Sequence, residues 1–413
     1  MAEFEWAVGI EDTFIGQPAG RRGRVLDEYE LIDHYRQWRS DLDLIASLGV
    51  RSMRYGVPWY LINPAPGVWD WSWTDRVFAH LERVGIRPIV DLVHYGTPLW
   101  LPDSFVSPDY PCRVAEYAAA MVTRYGPQAG GWTPLNEPVV NADFCGRRGV
   151  WPPHLRGIRG YDRVLVGIAD GIVRTIAAIR EVQADARIVA VEPCDLVTSD
   201  EPQLADRVLQ CWQEVVLPLD LVLGRVDEGH PLWVRLVASG VDPRRLEGLA
   251  ATPSRIDVLG VNFYPNISRA RLATGRGGVR RRPQYGEAAD LVTVLTAFHA
   301  HTGLPLMITE TSDNAPIELR TDWLNASVAA VAAARADGLP VVGYTWFPVF
   351  SHVDWRWRRG PYERAAYWCH MGLWDLDEQL HRNRTPLADR YAALASAGPP
   401  RVDAAATTKR RFD

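Results

Sequence analysis

Two glutamates mark where this sequence could do chemistry. Glu137 lies in TPLNEP (Thr133 to Pro138) and Glu310 in ITET (Ile308 to Thr311), each at the end of a β-rich run. A pair of carboxyl groups supplies what cleavage of a glycosidic bond requires. One protonates the departing oxygen, and the other stabilises or traps the anomeric carbon of an oxocarbenium-like transition state. Carboxyls about 5 Å apart would give retention, and a gap of about 6.5 to 9.5 Å would admit a water and give inversion. The two residues are far apart in the chain, so only a fold that closes on itself brings them face to face.

The elements that must position them recur regularly. Short β-rich runs cover Trp6 to Ile10, Arg51 to Val57, Pro88 to Val93, Gly131 to Leu135, Arg187 to Glu192, Ile256 to Tyr264, Pro305 to Thr309 and Leu339 to Phe347. Helical material separates them, as in Asp41 to Leu48 and Val114 to Tyr125, where apolar residues recur at helical spacing and Gly49 and Gly126 follow as stops. Continuous apolar runs such as RIVAVEP and VLGVN suit strands buried on both faces of a parallel sheet. The reading is an α/β fold, a single (β/α)8 TIM barrel with extended loops at the C-terminal face of the strands. It spans residues 1–398, with 399–413 as a flexible tail. A doubly wound open sheet is the structural alternative. The strand ends carry Arg54, His94, Asn136, Glu137, Glu192, Asn262, Tyr264, Glu310 and Trp346, which a barrel gathers at the mouth where active sites are built. The basic, Gly-rich stretch Ser268 to Tyr285 reads as a mobile, solvated loop at the rim.

Composition narrows the classes. The 413 residues are 47% hydrophobic and 23% charged, with a net charge of −5, which provides a core but no global positive field for nucleic acid or an anionic membrane. Five widely spaced cysteines without a CxxC pair argue against a disulfide framework or thiolate zinc site and suit a reducing interior. Met1 to Trp6 lacks the pattern of a secretory signal, and no apolar stretch reaches the length of a membrane span, so a cytoplasmic protein is expected. No metal or cofactor is called for, because the ten histidines show no HxH or HExxH spacing. The expected partner is a small-molecule glycoside; the oligomeric state is left open.

With these motifs in order, the chain resembles glycoside hydrolase family 1, within the retaining (β/α)8-barrel glycosidases. TPLNEP resembles the family's acid/base motif and ITET its nucleophile motif. FEWAVGIEDT, DHYRQWRSDLDLIASLGVRSMRYGVPW, HYGTPLWL, LGVNFYP and GYTWFPVFSHVDW keep the same register from about Phe4 to about Trp374. The resemblance implies that Glu137 is the acid/base and Glu310 the nucleophile. Arg54 would hold Glu310 ionised and Tyr264 would donate a hydrogen bond to it. Asn136 would bind the sugar 2-hydroxyl, His94 another hydroxyl, and Trp346 would floor the ring, with Asn262 and Trp355 beside them. The sugar-reading positions depart from the family. Phe14 replaces a usual Gln, with Glu11 and Asp12 close by; Tyr95 and Gly96 replace Trp-Asp; Asp354, before Trp355, stands roughly where the family has a Glu. The expectation is a retaining β-glycosidase acting on a sugar that need not be glucose. A transglycosylating enzyme with the same covalent intermediate, a silent sugar-binding barrel and a metal-dependent barrel hydrolase are the alternatives.

Overall fold

The computed structural model of the chain describes residues 4–16 and 23–402. All eight expected runs are strands: β1 Glu5–Gly9, β2 Ser52–Gly56, β3 Arg87–Asp91, β4 Gly131–Thr133, β5 Val189–Pro193, β6 Val258–Asn262, β7 Leu306–Thr311 and β8 Val341–Trp346. They pair in parallel in the order β4-β3-β2-β1-β8-β7-β6-β5. Parallel bridges Trp132 to Ile188 and Asn136 to Val191 join β4 to β5, so the sheet closes into a barrel rather than remaining an open doubly wound sheet.

The barrel is filled rather than hollow. Ala7, Ile89, Val189, Val191 and Met307, from the odd-numbered strands, form a small interior cluster with Val258. Contribution from alternate strands is how layers of side chains fill such a barrel. Four of these six inward residues are β-branched, and because side chains alternate along a strand the other apolar face packs against the outer helices. There Trp38, Leu42 and Ile45 of the helix His34–Ala46 and Val114, Met121 and Val122 of the helix Tyr110–Tyr125 join the main core. The first of these helices stops at Ala46, short of the expected Leu48, and Gly49 follows with a positive φ of 75°.

The stretch Ser268 to Tyr285 is not a mobile loop. Arg269–Gly275 and Gly278–Gln284 form an antiparallel hairpin, and the first of these strands also pairs in parallel with Leu196–Thr198. Its inward side chains supply the reason: Leu272 packs with Val197 and Leu204, while the alternating arginines face outwards or pair with carboxylates, as Arg269 does with Asp290 at 2.6 Å. Of the expected tail, residues 403–413 lie outside the described residues. Among the described residues, no helix is long and apolar enough to cross a membrane. All five cysteines are free.

Candidate active site

The C-terminal ends of the strands surround a cavity of 1270 Å³. Glu137, Glu310, Asn262, Tyr264, Asp354 and Trp355 line it, as do Glu11 and Tyr95. Both glutamates are buried, with relative exposures of 7% for Glu137 and 3% for Glu310. Glu310 is the penultimate residue of β7. Glu137 follows β4 with a left-handed φ of 48°, just ahead of the short helix Pro138–Ala142. A non-glycine residue held there stores strain that the surrounding structure must sustain, a feature concentrated at functional sites.

The two carboxyls are set differently by their neighbours. The Arg54 guanidinium, rooted on β2, donates to Glu310 Oε1, while the Tyr264 hydroxyl donates to Glu310 Oε2 at 2.7 Å. Burial disfavours the Arg54 charge, but Glu310 and Asp91 together hold it well above its ordinary pKa. Burial raises the Glu310 carboxyl, and Arg54, His94 and Tyr264 oppose that rise. Glu137 has no cation bonded to it among the described residues. Burial, then the charge of Glu310, push it up to about 7, against the hydrogen bonds from Tyr95 and Asn262 and the nearby His94 charge. Asn262 donates to Glu137 Oε1 at 2.9 Å, and its own Oδ1 accepts from the Thr309 hydroxyl at 2.7 Å, which fixes the orientation of the amide.

A hydrogen-bonded relay joins the two carboxyls from behind. Arg54 donates to Asn136 Oδ1 at 2.9 Å, the Asn136 amide donates to the Tyr95 hydroxyl at 3.0 Å, and that hydroxyl donates to Glu137 Oε2. Tyr95 takes a left-handed φ of 74°, and its ring reaches the cavity wall. Asn136 and His94, expected to read hydroxyls directly, are enclosed and do not line the cavity. The Tyr95 hydroxyl engages the Asn136 amide, and its ring packs edge-on to His94 at 4.6 Å. Burial opposes the His94 imidazolium, but Asp12, Asp91 and Glu11 push it up to about 10.

Three further expectations meet a different arrangement. Trp346 is wholly enclosed and donates its indole N–H to the Met371 carbonyl at 3.0 Å, so it does not form the wall of the cavity. Asp354 lines the cavity, but its carboxylate is taken up by Arg356, which donates from its backbone at 2.8 Å and from its guanidinium at 2.6 Å. Glu192, at the end of β5, is buried away from the cavity, and burial raises its carboxyl well above the usual range. Trp355 is on the cavity wall as expected, but sequence reasoning missed its outer-wall neighbours: Trp151, which meets Trp355 at 5.3 Å, and Arg147, Arg148 and Arg281. Trp151, Arg147 and Arg148 lie in the connection between β4 and β5, and in an extended barrel loop that position was the available signal. The ligand-capable atoms of Asp12, Asp91 and His94 lie within 4.8 Å of one another. That trio does not suit a cation, because Asp91 Oδ2 is already 2.5 Å from the Arg54 guanidinium and Asp12 and Asp91 serve the His94 ring.

A filled (β/α)8 barrel with two buried carboxyls of unequal setting lining one cavity at the strand ends fits the chemistry of a glycoside hydrolase. Residues 7–215 match the sequence profile described as glycosyl hydrolase family 1. β-Glucosidase 47 of Arabidopsis thaliana is 31% identical over 406 residues, covering 86% of this chain and 74% of that protein. β-Glucosidase A of Thermotoga maritima is 29% identical over 245 residues, 56% of this chain and 54% of that protein. In fold, the chain superposes on the solved β-glucosidase of Thermotoga maritima in complex with azafagomine with a TM-score of 0.82 and 19% identity, covering 95% of this chain and 98% of that one. The chain belongs to glycosyl hydrolase family 1.

Proposed function

We propose that the protein hydrolyses a small β-glycoside with retention of configuration, through a covalent glycosyl-enzyme intermediate. The observation that carries this reading is the unequal setting of the two carboxyls: Glu310 faces Arg54, whereas Glu137 is raised to about 7 by burial and by the charge of Glu310. Glu137, protonated below about pH 7, gives its proton to the departing oxygen as Glu310 attacks the anomeric carbon. Ester formation removes the Glu310 charge, so one of the causes holding the Glu137 pKa up disappears. Its pKa falls, and as a carboxylate it withdraws a proton from the water that releases the sugar. Arg54 and Tyr264 orient the nucleophile and hold it ionised; Asn262 and Tyr95 hold the acid/base. Asn136 and His94 act in this reading as positioning residues behind Tyr95. Trp355, Asp354 and the outer wall face the aglycone side.

The test is hydrolysis of aryl β-glycosides differing in the sugar, followed by proton NMR. The β-anomer of the freed sugar is expected first, with the α-anomer appearing only as it mutarotates; the α-anomer appearing first would show inversion and reject the covalent intermediate. A second expectation concerns pH. The Tyr95 hydroxyl stabilises the ionised form of Glu137, so Tyr95→Phe raises the Glu137 pKa. Because the protonated acid is the active form for the first step, the alkaline limb of kcat/KM, near pH 7 in the parent, moves upward in the variant. A limb that stays in place or moves down would remove Tyr95 from this role.

A further inference from the structure

The loop after β1 places one carboxylate on the cavity wall that the two-step mechanism does not use. Glu11 is only 5% exposed, yet it lines the cavity together with Glu137, Glu310 and Tyr264. Its Oε1 accepts from the Thr13 backbone N–H at 3.2 Å and from the Thr13 hydroxyl, and it lies 3.5 Å from His94 Nε2. Its Oε2 makes no hydrogen bond among the described residues. That oxygen is not sealed off, so it stays open to accept a hydrogen bond from a ligand in the cavity.

The wall that carries Glu11 is fixed by its neighbours. A Cβ on Gly56 would stand 1.3 Å from Asp12 Oδ2, and a Cβ on Gly96 would stand 1.9 Å from the Phe14 carbonyl oxygen. Hydrogen-only side chains at these two positions are therefore what let the loop lie so close to β2 and to the turn after β3. Phe14 donates its backbone N–H to the His94 carbonyl at 3.3 Å and stacks its ring on Tyr60 at 3.5 Å, pointing away from a sugar-reading role. The departures at Phe14 and at Tyr95-Gly96 are thus two halves of one rebuilt wall. Asp354, a further carboxylate on the cavity wall, has both oxygens committed to Arg356.

We infer that Glu11 is the hydroxyl-reading carboxylate of this site: it accepts hydrogen bonds from ring hydroxyls of the glycone, and it selects a neutral, hydroxylated sugar over one bearing a carboxylate or phosphate at that position. The inference deepens the glycosidase reading and rests on it. Glu11→Ala and Glu11→Gln are compared with the parent enzyme on the best-hydrolysed 4-nitrophenyl β-glycoside and on its monodeoxy analogues. Glu11→Ala is expected to lower kcat/KM on the full substrate by about 10- to 100-fold. On the analogue lacking the hydroxyl that Glu11 reads, the parent is already impaired and Glu11→Ala adds less than about twofold. Glu11→Gln keeps the shape of the loop and an acceptor for Thr13, so its loss on the full substrate with an unchanged melting temperature separates recognition from folding. An equal penalty on the full substrate and on every monodeoxy analogue overturns the inference while leaving the glycosidase reading intact. A parent enzyme inert toward all aryl β-glycosides defeats that reading instead. Glu11 is then judged by calorimetric titration of free hexoses: a tenfold weaker affinity in Glu11→Gln supports its role, and an unchanged affinity overturns it.

Discussion

Glu310→Ala should lose on the order of 10⁴-fold or more in kcat on an aryl β-glycoside, the scale at which removal of a nucleophile reduces an enzyme to binding and residual electrostatic stabilisation. The variant should still fold. Arg54 would lose Glu310 but keep Asp91 at 2.5 Å and Asn136 at 2.9 Å, so its buried charge is not left unpaired. Circular dichroism and a melting curve check that point independently of activity. Azide should then restore turnover by entering the space vacated by the carboxylate and attacking the anomeric carbon from that face, giving the α-glycosyl azide. Near-parent activity without azide, or a β-azide product, would take the nucleophile role from Glu310.

Glu137→Ala should behave differently according to the leaving group. A phenyl or alkyl glycoside needs its oxygen protonated, and its first step should slow by about 10² to 10⁴-fold, the range that general acid catalysis supplies. A dinitrophenyl glycoside departs without help, so the glycosyl-enzyme should form readily and accumulate, with a burst of phenolate before a slow steady state. Azide should relieve that second step and give the β-azide, since it replaces water on the intermediate rather than the nucleophile. The alkaline limb of the pH profile that Glu137 sets near 7 should vanish as well, because the group that titrates there is gone. Leaving-group dependence unchanged from the parent would show that another residue donates the proton.

What the sequence disclosed follows from the geometry of the βα period. Each β-rich run ends at the same rim once the sheet closes, so a polar residue at a run's end is also a residue at the mouth. Glu137, Glu310, Arg54, Tyr264 and Asn262 were legible on that basis, and the observed hydrogen bonds join them in two connected sets. What was not legible depended on dihedral angles and on partners distant in the chain. Nothing in HYGTP announces that Tyr95 adopts a left-handed backbone and takes the wall from His94 and Asn136. The carboxylate at Asp354 is neutralised by an arginine two residues on, where the two could equally have diverged. The enclosure of Trp346 depends on a carbonyl contributed by Met371. The hairpin carried a signal that its basic composition masked: Ala270 and Leu272 alternate with polar neighbours, and Gly277 and Gly278, with φ of 96° and 115°, form a turn that suits the left-handed backbone between two strands.

That hairpin also shields the molecule from its own kind. Among the described residues, its outer strand, Gly278–Gln284, has a hydrogen-bonded neighbour on one side only, which leaves a row of backbone groups on which a strand from a second copy could template. Three consecutive arginines, Arg280 to Arg282, and Pro283, which has no N–H to give, occupy that edge. Two such edges brought together would set like charges against each other along their length, with an unmatched acceptor in the ladder. The same stretch that frames the entrance to the cavity therefore acts as a guard against edge-to-edge aggregation.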